Sequence, residues 1–256
     1  MASKGTVIVT GEAITRSLRQ TITLTKSEQV AEGTMSFRFT RPSGFEFRPG
    51  QSVDITLIDP PETDAEGNTR AFSIASPPFE DHLTIATRLR DSAFKRVLRQ
   101  AGPGLQVGLE GPSGSFTIHK NVAKPAIFLA GGIGITPFLS IARQAAKEKR
   151  QQQLYLFYSN RRPEDAPFLN LLDALPAENP NFHFIPTMTA MRKSHRQWTG
   201  ETGVIGREML LRHVSDPVGP VYYMAGPPAM VAAMQQMLAS AGVDEDDFRT
   251  EEFSGY

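Results

Sequence analysis

The 256-residue sequence contains no cysteine. That excludes disulfides, thiolate zinc sites and any iron–sulfur cluster held by four thiolates within these residues. It also excludes a cysteine nucleophile, so redox chemistry in this chain needs a bound organic cofactor or a partner. Net charge is absent as well. The 27 basic and 27 acidic residues leave none of the excess that a nucleic-acid binder needs. No run is long and apolar enough to span a membrane. Met1–Gln20 mixes Lys4, Glu12, Arg16 and Arg19 with short apolar runs and lacks the apolar centre of a secretory signal. A cytoplasmic protein without membrane or nucleic-acid partners is expected. The five histidines, His82, His119, His183, His195 and His213, form no pair with ligand spacing, so no metal site is expected. There is no internal repeat and no low-complexity tract.

What is present is a chain with two rhythms. With 40% hydrophobic and 21% charged residues it can build a packed core, and its length fits two ordinary domains. From Thr21 to Ile118, short alternating runs such as Thr21–Thr25, Ser36–Thr40, Val53–Leu57 and Leu83–Thr87 read as strands. Pro49-Gly50, Pro60-Pro61 and Gly102-Pro103-Gly104 punctuate them. One short helix is expected over Ser92–Gln100, capped by Ser92 or Asp91. The loop Asp59–Thr69 is long and polar, and is expected to be mobile. This is the pattern of a small antiparallel barrel.

After Lys124 strands alternate with helices. Expected strands are Ala126–Leu129, Leu154–Tyr158, Phe182–Pro186, Val221–Met224 and Arg249–Phe253. Expected helices are Pro137–Lys149, Asp165–Leu175, Arg207–Val214 and Pro228–Ala241, the last ended by Gly242. Such alternation implies a doubly wound parallel sheet, whose ligands sit at the carboxyl ends of the strands. The expected division is an N-terminal extension at 1–20, a barrel at 21–122 and an α/β domain at 123–256.

The most informative stretch is Ala126–Pro137. It reads as a buried strand, a glycine turn and a helix opening at Pro137. Such a turn aims backbone N–H groups at one spot, which suits a phosphate. Gly131, Gly132 and Gly134 remove side chains, so a ligand could approach the main chain. Thr136-Pro137 stands where the usual dinucleotide fingerprint has a third glycine. In the barrel half, alternation puts Arg70 and Phe72 on one face and Ala71 and Ser73 on the other. Arginine can fork onto a phosphate, an aromatic ring can stack on a flat heterocycle, and a hydroxyl can bond a ring nitrogen. Gly111–Phe116 and Met224–Met230 are further turn motifs. Taken singly, each also reads as ordinary structural punctuation.

Together and in this order, Pro49-Gly50-Gln51, Arg70–Ser73, Gly111–Phe116, Gly131–Pro137 and Gly226-Pro227-Pro228 resemble the ferredoxin–NADP⁺ reductase family, over about Thr21 to Tyr256. The resemblance implies a Greek-key FAD-binding barrel, then an NAD(P)-binding domain, with the flavin between them. It places Arg70 on a flavin phosphate, Phe72 stacked on the ring and Ser73 facing flavin N5, with Ala71 between them among the cofactor-binding residues. Thr87, Arg88, Ser92 and Ala93 would meet the ribityl chain and pyrophosphate, and FAD is favoured over FMN. Gly131, Gly132 and Gly134 would serve the nicotinamide cofactor, with Thr136 near the flavin–nicotinamide contact. Phe72 stands where tyrosine is more frequent. Ala225, before Gly226 and Pro227, replaces a frequent cysteine that would touch the nicotinamide.

Ser159, Arg161 and Arg162 suit a 2′-phosphate, so NADP(H) is favoured over NAD(H) as cosubstrate. Glu251 and Phe253 match a terminal carboxylate and a ring covering the flavin, and Tyr256 is a second candidate for the cover. Ser73, Thr136 and Glu251 are the expected catalytic residues. Arg88, Arg90, Lys95, Arg96 and Arg99 could dock an acidic ferredoxin or flavodoxin. The expected function is an FAD-dependent NAD(P)H reductase passing electrons to a separate acceptor. Alternatives are an NAD(P)H–flavin or quinone reductase and a non-catalytic flavin-binding electron-transfer subunit or redox sensor, toward which Ala225 leans.

Overall fold

The computed structural model describes residues 20–253. Its first half is β1 (Gln20–Ala31), β2 (Thr34–Thr40), β3 (Ser52–Leu57), β4 (Thr69–Ser73), β5 (His82–Arg88), helix α1 (Ala93–Gln100) and β6 (Gln106–Ser113). These strands form an antiparallel sheet in the order β4-β3-β6-β1-β2-β5. The chain leaving β4 returns to β5, the other end of that order, through an Ala75 N–H to Thr84 carbonyl bond of 2.8 Å. Alternation does its expected work in β2. Phe37 and Phe39 point into the barrel core, while Arg38 and Thr40 stay in water. Ser92 is the cap of α1, its hydroxyl accepting from Lys95 N–H at 3.4 Å.

The second half is β7 (Ala126–Gly131), α2 (Ile135–Lys147), β8 (Leu154–Asn160), α3 (Leu169–Glu178), β9 (Phe182–Met188), β10 (Glu201–Thr202), α4 (Arg207–His213), β11 (Val221–Gly226), α5 (Pro228–Ser240) and β12 (Phe248–Glu252). All pairings are parallel, in the order β10-β9-β8-β7-β11-β12. Every residue of β7 is buried because helices cover both sheet faces. Phe128 packs with Phe138 of α2 on one face, and Ile127 and Leu129 share a cluster with Met209 and Leu238 on the other.

Three expected local features differ. The helix over Asp165–Leu175 is divided: a 3₁₀ turn at Pro163–Asp165 precedes α3, which starts only at Leu169. Ala166 precedes Pro167 and is extended, as proline's ring demands of its predecessor, and Phe168 turns the chain at φ +61°. The helix after the glycine turn opens at Ile135, leaving Pro137 inside its first turn, where no N–H is missed. The loop Asp59–Thr69, expected to be mobile, is tied down. Glu62 pairs with Arg96 at 2.6 Å, Asp64 accepts from Ala93 N–H at 2.8 Å, and the Thr56 and Thr69 hydroxyls bond at 2.8 Å.

Several contacts clamp the halves together. Ser140 Oγ donates to the Ser76 carbonyl at 2.8 Å, Arg143 pairs with Glu80 at 2.5 Å, and Arg162 pairs with Glu32 at 2.7 Å. Among the described residues no helix is long and apolar enough to cross a membrane, and no group of three His, Asp or Glu side chains could hold a metal ion.

Candidate functional site

The barrel and the parallel sheet meet at a cleft of about 620 Å³, a volume typical of small-molecule sites. β4 contributes Arg70, Ala71, Phe72 and Ser73. The end of β5 and the start of α1 add Thr87, Arg88, Arg90, Ser92 and Lys95. The parallel sheet adds Ile133 and Thr136 after β7, and Glu251, Glu252 and Phe253 at the end of β12. These residues lie up to 178 positions apart, as for the Ser73–Glu251 pair. The cleft opens at the carboxyl ends of β7 and β12, where parallel sheets place their ligands.

The glycine turn has a purpose that the sequence does not reveal. A Cβ on Gly134 would sit 2.2 Å from the Ala225 carbonyl oxygen, and one on Gly131 would sit 2.3 Å from Met230 Sδ. Gly134 thus lets the turns after β7 and β11 pack backbone to backbone, and Gly131 makes room for the Met230 side chain. Access for a ligand is not their first requirement. Gly132 turns the chain at φ +53°, a conformation that side chains disfavour. Ala225 is buried, and Gly226 and Pro227 complete the facing turn. Thr136 is buried, and its hydroxyl donates to the Ile133 carbonyl at 3.1 Å.

Phe72 is 9% exposed and packs at 5.8 Å on Phe94, inside the barrel core. It also borders the cleft. Arg70 has its guanidinium 5.3 Å from the Phe94 centroid. That guanidinium is not free. Its Nη1 donates to the Glu66, Gly67 and Thr69 carbonyls, and its Nη2 to Glu66 Oε2 at 2.8 Å and Asp64 Oδ1 at 3.4 Å. Arg88 reaches the Asp165 carbonyl through Nη2 at 3.2 Å, while its Nε is buried without a partner. The Thr87 hydroxyl donates to the Arg88 carbonyl at 3.3 Å. Lys95 lies where burial pushes its pKa down, and nearby Arg90 and Arg70 push it further.

On the opposite wall, Ser73 Oγ donates to Glu251 Oε1 at 3.4 Å, and Glu251 Oε2 is buried without a partner. Burial pushes the Glu251 pKa up to about 7, and the Ser73 bond opposes that only weakly. Phe253 borders the cleft, its N–H held by the Gly226 carbonyl at 3.0 Å. Tyr256 lies outside the described residues.

Ser159, Arg161 and Arg162 are brought to the carboxyl edge of β8, away from this cleft. Arg161 is exposed, and its carbonyl holds Ala190 N–H at 2.8 Å, which ties the 3₁₀ turn Met191–Lys193, with exposed Arg192 and Lys193, to this edge. Arg162 is engaged elsewhere. It forks onto Asp165 at 2.9 and 2.7 Å and reaches Glu32 across the domain boundary. The basic group suggested for partner docking is also dispersed. Arg96 is held by Glu62 and Asp91, Arg88, Arg90 and Lys95 line the cleft, and Arg99 is exposed outside it. Sequence reasoning missed Asp64 and Glu66, because nothing in an irregular polar loop announces where its carboxylates will land.

Residues 128–236 match the oxidoreductase NAD-binding domain family. The chain is 30% identical over 227 residues to the glycine betaine monooxygenase reductase subunit of Chromohalobacter salexigens, covering 86% of this chain and 60% of that protein. It is 31% identical over 211 residues to the phenol hydroxylase P5 protein of Acinetobacter pittii, covering 81% and 58% respectively. The chain thus spans about three-fifths of the length of these curated relatives. Its fold is similar to the crystal structure of a ferredoxin NADP⁺ reductase from Neisseria gonorrhoeae with bound FAD and NADP. The TM-score is 0.75 at 22% identity, over 91% of this chain and 98% of the other.

Proposed function

We propose that this chain is a ferredoxin–NADP⁺ reductase-type flavoprotein, an FAD-dependent NAD(P)H reductase serving a separate electron acceptor, a reading supported by its two-domain fold and by the match of residues 128–236 to the oxidoreductase NAD-binding domain family. The observation that carries the reading is the interdomain cleft. It joins a cationic end, made by Arg70, Arg88, Lys95 and the start of α1, to a polar end made by Ser73 and Glu251. A flavin dinucleotide has the same polarity, an anionic pyrophosphate at a distance from a neutral heterocycle. Of the five buried side-chain atoms without partners among the described residues, two, Arg88 Nε and Glu251 Oε2, belong to residues lining this cleft and fit those two ends.

In this reading Arg70, Arg88 and the Ser92–Ala93 backbone hold the phosphates. Ser73 meets the heterocycle, and Phe253 covers it. Bound there, the flavin would supply hydride acceptance from reduced nicotinamide and onward electron release. The chain's own part is positioning. Thr136 and the Gly131–Gly134 turn shape the floor where nicotinamide would approach. Glu251, with a pKa near neutrality, can hold or yield a proton beside Ser73.

For the cosubstrate, exposed Arg161, with Arg192 and Lys193 on the turn tied to its edge, supports NADPH over NADH. The acceptor is proposed to be a protein, an oxygenase component or a ferredoxin-type carrier, since one of the relatives above is named as the reductase subunit of a monooxygenase and the other as a protein of a phenol hydroxylase. The purified protein should be yellow, and NADPH should bleach it without oxygen. A colourless protein would sink the reading, and a yellow one that neither nucleotide bleaches would leave only a flavin-binding subunit. Arg161→Ala should lower the NADPH/NADH ratio of kcat/KM. An unchanged ratio would remove the NADPH assignment.

A further inference from the structure

The cationic end of the cleft already holds an anion from this chain. Asp64 Oδ2 accepts the Ala93 N–H at 2.8 Å, at the first residue of α1. Its Oδ1 meets Arg70 Nη2 at 3.4 Å, and Glu66 Oε2 meets the same nitrogen at 2.8 Å. A helix start and an arginine fork are the two groups that a phosphate would use. Here one loop, running from β3 to β4, saturates both with carboxylates. Around it lie Arg90, Lys95 and Arg88, the last with its buried Nε still lacking a partner.

We propose that Asp64, with Glu66, is a built-in substitute for the flavin phosphate, seated on the anion subsite of the flavin-free protein and exchanged for the phosphate when the flavin binds. This rests on the flavin reading above. Asp64 thereby sets flavin affinity from outside the binding contacts. Every flavin that binds must break the Asp64–Ala93 and Asp64–Arg70 bonds, and the loop must swing away. In return, the flavin-free protein is spared an uncompensated cluster of cations at the mouth of the cleft. The Ala93 N–H holds the Asp64 carboxyl below its ordinary range, so it is charged and competing at neutral pH.

The test uses flavin-free protein titrated with three probes: FAD, inorganic pyrophosphate and riboflavin. FAD and riboflavin are followed by flavin fluorescence, and pyrophosphate by calorimetry. Asp64→Asn keeps an acceptor for Ala93 but removes the charge, and Asp64→Ala removes both. Asp64→Ala should bind FAD and pyrophosphate about threefold or more tightly than the native chain, since a cap bond of ordinary strength is no longer competing, and Asp64→Asn, which loses only the charge facing Arg70, should tighten both by less. Riboflavin, which has no phosphate, should bind as before. The flavin-free melting temperature should fall in Asp64→Ala, so stability and affinity move in opposite directions. Should either Asp64 variant fail to melt cooperatively, Glu66→Gln at an exposed side chain carries the same expectation.

Unchanged or weaker FAD binding would overturn the proposal while leaving the flavin reading intact, because Asp64 would then be only a helix cap. Equal tightening for riboflavin would overturn it too, since the loop would then be crowding the heterocycle. If neither the native chain nor the variants bind FAD, the flavin reading and this proposal fall together.

Discussion

Ser73 on the barrel donates a hydrogen bond of 3.4 Å to Glu251, a carboxylate 178 residues later on the last described strand. The bond crosses the interface between the two sheets and lies in the wall of their shared cleft. It is the one polar partner of a carboxyl group whose second oxygen has none. A buried carboxylate with so little support favours its neutral form.

That arrangement predicts a pH dependence of stability. Burial raises the Glu251 pKa from 4.5 to about 7 in the folded state. A raised folded pKa means that the folded chain holds the proton more tightly than the unfolded chain. Its contribution is full below the unfolded value and is lost as the pH climbs through the folded one. Glu251→Gln, always neutral, should erase that loss, on the order of 3 kcal/mol. Denaturant unfolding of the flavin-free protein at several pH values checks it. Parallel profiles for the variant and the native chain would contradict the assignment.

Gly134→Ala should destabilise the fold by about 1–3 kcal/mol, because the new methyl meets backbone that cannot yield. The contact is the Ala225 carbonyl, 2.2 Å away. Gly102→Ala is the control, since nothing lies within 4 Å of its Cβ position. Denaturant midpoints with unchanged slopes would report both. Equal midpoints for the two variants would show that the two turns do not need Gly134.

Phe72 offers a separation between core and ligand roles. Its ring is part of the barrel core beside Phe94. Phe72→Ala should cost the flavin-free protein about 3–5 kcal/mol, the range for emptying an aromatic site in a core. A ring present only to stack on a flavin would leave the flavin-free protein nearly unaffected. Unfolding measured without flavin tells the two apart.

Arg161 and Arg162 should part company although they are adjacent. Arg162 is forked onto Asp165 and tied to Glu32 of the barrel. Arg162→Ala should therefore lower the melting temperature, with a smaller effect on the NADPH/NADH preference than Arg161→Ala. If Arg162→Ala shifts nucleotide preference and leaves melting unchanged, the clamp is not what Arg162 is for.

Much of the architecture was legible before any coordinates. Apolar runs such as Ala126–Leu129 and Val221–Met224, alternating with helical segments, read as strands of a sheet covered on both faces, and they are fully buried strands. The alternation of Phe37, Arg38 and Phe39 assigned inside and outside in β2 correctly. Residues 166–168 were less legible, because the break before α3 depends on Pro167 and on a left-handed Phe168 within an otherwise helical pattern. The motif residues Arg70, Ser73, Thr136, Glu251 and Phe253 do line one cleft, whereas Ser159 and Arg161 lie at a separate edge.

By itself the sequence determined the two-part order of elements and which residues carry chemistry suited to a phosphate or a flat ring. Those are local properties of pattern and residue chemistry, readable wherever periodicity and turns are strong. Tertiary structure alone decided what each group actually touches. Gly134 is spent on Ala225, Arg162 on Asp165 and Glu32, Phe72 on Phe94, and Arg70 on Asp64 and Glu66. The reason is physical. A charged or aromatic side chain takes the partner that folding brings within reach, and that partner stands anywhere from a few residues to half a chain away.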